Sequence, residues 1–274
     1  VRPGEIAGML PPYPAIPVLV VVLLLGASAL GMALHGRLIE RRKTPETIDH
    51  LRLVVAILAI FAAVALALLL SSAKASYDAF DSRVRAFGGS IVELDQRLRQ
   101  YGEETAPIRA NLRAYLAGAI AGAWPGEPRP SGIYPSDDGA PDGVEQAAIG
   151  KLLFEVDDSV RKLEPSDPFH AGLANLLEAQ VTELLKQRRQ AIETAHDTIP
   201  PPLLVAMTLW LAIVFGVIGL TAPRNAVVYA TILVCGLSFA SAIFLILDFG
   251  RPLTGLFPVP SEPARAALRR LDTP

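Results

Sequence analysis

One cysteine, Cys235, stands in 274 residues, so no disulfide can form within the chain. The four histidines, His35, His50, His170 and His196, form no pair at the i, i+3 or i, i+4 spacing of a helical metal site. Glycine-rich phosphate loops, nucleophile elbows and paired-cysteine sites are absent too. The chain therefore reads as a non-enzyme that holds no metal or other cofactor. Charge is also scarce: Asp, Glu, Lys and Arg make up 19% of the residues, against about 25% in an ordinary soluble domain. A formal charge of -2 and a pI near 6.1 give no reason to expect nucleic acid as a partner.

What is abundant is apolar sequence, 51% of residues with a mean hydropathy of +0.39. Four runs lack Asp, Glu, Lys, Arg and His: 15–34, 53–72, 202–223 and 225–247. About 20 helical residues cross a hydrocarbon core of roughly 30 Å. The expectation is an all-α integral membrane protein with four transmembrane helices and a helical bundle inserted between spans two and three. The first run is too long for a signal core and only one basic residue, Arg2, precedes it, which favours a retained span. In domain terms, 1–72 forms an N-terminal transmembrane hairpin and 73–199 an extramembrane domain. Residues 200–248 form a second hairpin, turning at Thr221 to Asn225, and 249–274 an interfacial tail.

An even number of spans puts both termini and residues 73–199 on one side of the cell (inner) membrane. That segment holds 14 basic and 20 acidic residues, whereas the connection containing Arg41, Arg42 and Lys43 is basic. The positive-inside rule makes that short loop cytoplasmic and turns the acidic domain outward. Arg83 and Arg85 after the second span, and Arg188 and Arg189 before the third, pull the other way. On balance the count favours an extracytoplasmic domain.

After Ser72 the apolar positions run Tyr77, Phe80, Val84, Phe87, Ile91, Leu94, Leu98 and Tyr101, alternating three and four apart. This is the seam of a helix pair, so the second span continues as one long helix out of the membrane. Gly88-Gly89 inside it marks a bend or a close helix contact. Pro107 suits the first turn of a second helix ending near Trp124-Pro125. Residues 126–143, rich in proline and glycine, read as a mobile loop. Its Asp137 and Asp138, with Asp142, match no calcium-loop spacing and are better taken as a solvated acidic turn. Further helices are expected from Val144 to Leu163 and from Pro168 toward Pro200, giving a four-helix bundle. In the tail, Ala264, Ala267, Leu268 and Leu271 share a face opposite Arg265 and Arg269. Such a helix either lies on the membrane surface or packs on the bundle.

Within the spans, charge-free sequence disfavours a proton-coupled carrier. Small residues four apart, Ala27 with Gly31, Ala29 with Ala33, Ala63 with Ala67 and Gly236 with Ala240, permit close helix contact. Asp248 and Arg251, three apart at the exit of the fourth span, form a candidate anchoring pair.

Two segments carry a resemblance. The first is Glu93-Leu94-Asp95-Gln96-Arg97-Leu98-Arg99-Gln100-Tyr101-Gly102 with Arg109, Leu112 and Trp124-Pro125. The second is Leu247-Asp248 with Arg251-Pro252 and Gly255, then Ser261-Glu262-Pro263. Together they resemble a bestrophin-like family of bacterial membrane proteins of unknown function, over nearly the whole chain. The likeness departs at Gly250 and Leu253, where the family has an acidic and an aromatic residue. The resemblance implies a homo-oligomeric, pentameric anion channel with its pore on the symmetry axis. It also implies a cytoplasmic large domain, opposite to the charge count. Under that reading Asp95, Arg97, Tyr101, Gly102, Arg109, Trp124, Asp248, Arg251, Pro252 and Gly255 are structural residues of the family pattern.

If a pore exists, the second span would line it, with Phe61, its only aromatic, as a hydrophobic constriction. Arg41, Arg42, Lys43, Arg83 and Arg85 would be mouth charges that concentrate anions. The alternative is a non-conducting scaffold or accessory subunit whose helical domain binds a membrane protein partner. A ligand sensor is a third reading, without a recognisable output domain. All of them share the lipid bilayer as partner.

Overall fold

A computed structural model describes residues 15–38, 45–134, 142–195 and 201–273. Their regular structure is all helical, with no strand among the described residues. The elements are α1 (Ala15–Leu38), α2 (Pro45–Tyr101), a single 3-10 turn (Glu103–Thr105), α3 (Ala106–Ala123), α4 (Asp142–Arg161), α5 (Pro168–Ala195), α6 (Pro201–Thr221), α7 (Ala226–Phe249) and α8 (Glu262–Asp272). Four of them, α1, α2, α6 and α7, are long and apolar enough to cross a membrane. The protein is an all-helical, multi-pass membrane protein. Two compact units divide it, Val1–Ser76 with Thr198–Arg251 and Tyr77–Asp197 with Pro252–Pro274.

In the first unit the helices meet through small residues, because lipid tails offer no hydrophobic drive for association and close packing must supply it. The tightest contact joins α1 to α6. A methyl group at Gly31 would lie 2.0 Å from the Gly216 carbonyl oxygen, and one at Gly219 would lie 2.0 Å from that of Ser28. Only glycine lets these backbones touch. Of the four small-residue pairs in the sequence, Gly31 belongs to this crossing and Gly236 with Ala240 is buried, whereas Ala29 with Ala33 and Ala63 with Ala67 are exposed. The Gly216–Gly219 pair, three apart on α6, is the partner that the four-residue spacing did not point to. At the same end His35 Nδ1 lies 2.6 Å from the Leu220 carbonyl, and Arg224 Nη2 donates to that of Met32 at 2.7 Å. Asn225 caps α7 by accepting from Val228 N at 2.9 Å.

The second unit has a water-driven core. Ile91, Leu94 and Leu98 of α2 pack with Leu112, Leu116 and Ile120 of α3, Leu153 and Val156 of α4, and Leu177, Val181 and Leu184 of α5. Each such side chain, fully buried, contributes about 1.5–3 kcal/mol. The three-four seam of α2 is thus its buried face, from Phe80 to Tyr101. Asp167 starts α5 by accepting from Phe169 N at 2.8 Å and His170 N at 3.0 Å, ahead of Pro168 at the first helical position.

The tail helix α8 takes the second of the two placements its sequence allows. Ala264, Ala267, Leu268 and Leu271 are buried in the core of the second unit, so it packs on the bundle rather than lying free on a membrane surface. Gly88 receives it, Pro263 and Ala267 coming within 3.4–3.5 Å of where a methyl would be. The glycine pair therefore marks a close helix contact within a continuous α2. Of the loop at 126–143, the described part, 126–134, is tied down: Glu127 N donates to Trp124 O at 3.1 Å and Tyr134 Oη to Pro130 O at 3.0 Å.

Candidate functional site

The second-span portion of α2 has two unlike faces. Ala62, Leu66 and Ala73 are buried against the other membrane helices. Leu53, Ile57, Ile60, Val64 and Leu68, spaced four, three, four and four apart on the opposite face, are exposed, and Phe61 beside them is 61% exposed. A stripe at that spacing is one continuous helix face. Among the described residues nothing covers it, and it carries no ionisable group.

The expected mouth charges fall into three groups. Arg41, Arg42 and Lys43 lie outside the described residues. Arg85 Nε pairs with Asp81 Oδ2 at 3.0 Å, which offsets its charge. Arg83 is exposed and donates to the Gln190 carbonyl at 3.4 Å, so its positive charge is not cancelled by that contact.

The pattern residues of the second unit form a connected set. Asp95, only 3% exposed, accepts from Arg99 Nε at 2.7 Å and from Arg109 Nε at 2.9 Å. Each carboxylate oxygen thus has a charged donor, the condition for burying a carboxylate. Arg99 also donates to the Leu271 carbonyl at 3.1 Å, tying α8 to the cluster. Arg97 instead pairs with Glu93 at 2.6 Å on the surface, four residues away on the same helix, a small contribution.

Gly102 has φ 129°, a backbone conformation that disfavours side chains, and lets the chain leave α2. Thr105 Oγ1 then donates to the Leu98 carbonyl at 2.6 Å and the Gly102 carbonyl at 2.8 Å, satisfying the end of α2. Tyr101 is buried edge-on to His170, with ring centroids 5.1 Å apart. Burial raises its phenol pKa, with Glu104 and Asp167 adding to the effect. The exposed Asp167 is held below the usual carboxylate range, first by the His170 backbone N–H and then by its side chain.

Trp124 Nε1 donates to the Val259 carbonyl at 2.8 Å, and Val259 N donates to the Pro252 carbonyl at 2.7 Å. Around them Glu127 accepts from Arg265 Nε at 2.9 Å and bonds Ser261 Oγ, and Arg113 pairs with Asp272. The first motif and the Pro252–Ser261 part of the second therefore converge on the docking of α8. In the first unit Asp248 is fully buried, and Arg251 N donates to its carbonyl at 2.9 Å. Pro252 is buried and Gly255 half-exposed.

Two features escaped the sequence reading. Glu127 with Arg265 had no signal, since 138 residues separate them. The Asp95–Arg99 pair had one, its four-residue helical spacing.

Comparison with solved structures shows the same fold in a bacterial bestrophin homologue from Klebsiella pneumoniae, crystallised in several single-substitution forms. One form aligns at a TM-score of 0.62 and 14% identity, over 93% of this chain and 97% of that one. Another aligns at 0.60 and 13%, with the same coverage. A third reaches 16% identity at 0.59, over 94% and 99%. No curated protein sequence matches. The Bestrophin-like domain model matches residues 22–264, and the chain belongs to that family.

Proposed function

We propose that this protein is a homo-oligomeric anion channel of the cell membrane in which α2 of each copy lines the conduction path. The observation that carries this reading is the two-faced second span. Ala62, Leu66 and Ala73 hold it in the protomer, while Leu53, Ile57, Ile60, Phe61, Val64 and Leu68 are left for a shared axis. A charge-free apolar wall suits weakly hydrated anions, whose dehydration costs less, and a ring of Phe61 side chains would be the dewetting constriction. Of the basic residues that follow the span, Arg83 is the one assigned to concentrating anions, because Asp81 offsets Arg85.

Chloride release from liposomes containing the purified protein, with potassium permeability clamped by an ionophore, tests the proposal. Release above the empty-vesicle control, slowed by Phe61→Trp and quickened by Phe61→Ala, is the expected result. Arg83→Glu should lower chloride preference while Arg85→Glu changes it little. No release from folded, inserted protein would overturn the channel and support the non-conducting scaffold. Sidedness is decided separately, by labelling a cysteine at the exposed Ser82 in a Cys235→Ala background. The charge count predicts labelling from outside, the bestrophin-like reading from the cytoplasm.

A further inference from the structure

Ser28 is set apart among the described membrane-helix hydroxyls by being buried without a partner, whereas Ser71 and Ser72 of the second span are exposed. Thr208, Thr221, Thr231, Ser238 and Ser241 all donate to carbonyls three or four residues back on their own helices, at 2.7–3.0 Å. Ser28, 1% exposed in the middle of α1, makes no such bond and its Oγ has no partner. A buried hydroxyl without a partner costs on the order of a hydrogen bond, and more where no water can reach it.

Behind Ser28, α6 is in backbone contact at Gly219 and leaves no room for a ligand. On the other side lies a groove of about 430 Å³ between α1 and α7, lined by Leu25, Ser28, Ala29, Met32, Tyr229 and Leu233 among others. Rotation about χ1 moves the Ser28 hydroxyl between staggered positions without moving the helix. At one end of the groove, beside Met32, sits the exposed guanidinium of Arg224, which spends Nη2 on the Met32 carbonyl. A guanidinium has five N–H donors, so others remain for an anion. Met32 and Ser28 are one helical turn apart, about 6 Å along the axis.

We infer that this groove is a site for one anionic phospholipid. Its phosphate is held by Arg224 with the Tyr229 hydroxyl, an ester carbonyl accepts from Ser28 a turn deeper, and an acyl chain lies along Leu25 and Leu233. The spacing from charge to hydroxyl to apolar wall follows the order of phosphate, ester and chain in a glycerophospholipid. Charge complementarity selects an anionic headgroup, since a zwitterionic one brings its own cation to Arg224. The site is independent of conduction.

Native mass spectrometry of the full chain tests it, after release from nanodiscs containing equal phosphatidylglycerol and phosphatidylcholine. One retained phosphatidylglycerol per chain is expected. Arg224→Gln should lower its occupancy about tenfold, the scale of a charged hydrogen bond. Ala29→Trp, at an exposed position that leaves the core intact, should abolish retention, and Val205→Trp on α6 should not change it. Equal retention of both lipids, or retention unaltered by Ala29→Trp, would overturn the assignment. So would crosslinking between copies through Ala29→Cys in a Cys235→Ala background, which would show that a second copy fills the groove.

Discussion

Asp95 Oδ1 and Arg109 Nε meet at 2.9 Å across the turn that joins α2 to α3, fourteen residues apart. With Arg99 on the other oxygen, this pair fixes the angle between two core helices and reaches α8 through the Leu271 carbonyl.

Removing the carboxylate should therefore cost more than removing either partner. Asp95→Ala leaves two guanidinium groups without their shared carboxylate and is expected to destabilise by about 2–4 kcal/mol, somewhat less than the roughly 3–5 kcal/mol for breaking a fully buried pair, because both arginines reach water. Arg109→Ala, with Arg99 still in place, should cost less than half of that. Thermal unfolding of the detergent-solubilised protein measures the order.

Gly219→Ala is expected to separate α1 from α6, since the added methyl would meet the Ser28 carbonyl. Overpacking typically costs about 1–3 kcal/mol, and a backbone obstacle puts this site at the upper end. Gly26→Ala on α1 meets nothing within 4 Å and should leave the melting temperature unchanged. Equal melting of the two variants would remove the close crossing.

Trp124→Phe keeps an aromatic ring, though a smaller one, and deletes the indole N–H that donates to Val259. The loss is expected to be about 1–2 kcal/mol, for one hydrogen bond and a carbonyl left unpaired. Limited proteolysis should show the change as faster cleavage between Pro252 and Ser261, with the rest of the digestion pattern retained.

Tyr115 gives the second unit an alkaline limit. Burial raises its pKa well above the ordinary phenol value of 10.0, Arg188 only partly opposing it. The folded pKa lies above the unfolded one, so this contribution is complete below about pH 10 and fades as pH rises toward the folded value. The slope approaches about 1.4 kcal/mol per pH unit for one proton. Tyr115→Phe should flatten stability between pH 10 and 11 relative to the parent, as followed by urea unfolding at each pH. An unchanged slope would assign alkaline sensitivity elsewhere, Tyr101 being the next group to test.

The helices were legible in the sequence because their determinants are local. Charge-free runs of span length, the three-four alternation from Tyr77 to Tyr101, and proline at the starts of α3, α5 and α8 are all read within a few turns. The family pattern was legible for the same reason, since Asp95, Tyr101-Gly102 and Trp124 stand close together in the chain. What each pattern residue touches was not. The Val259 carbonyl that Trp124 finds is 135 residues away, and the Glu127–Arg265 and Arg113–Asp272 ties span similar distances.

Residue type and spacing determined which segments are helical, which of them suit a membrane, and which face of the long helix is apolar. Tertiary structure alone decided where those faces go. It seated α8 on Gly88, brought Gly31 against Gly216, and left the Leu53–Leu68 face of α2 uncovered while its Ala62 face was buried. The physical reason is that apolar character in a membrane helix carries no direction. Lipid and protein are equally good neighbours for a leucine, so only backbone proximity at glycines and the few polar ties select which helices touch.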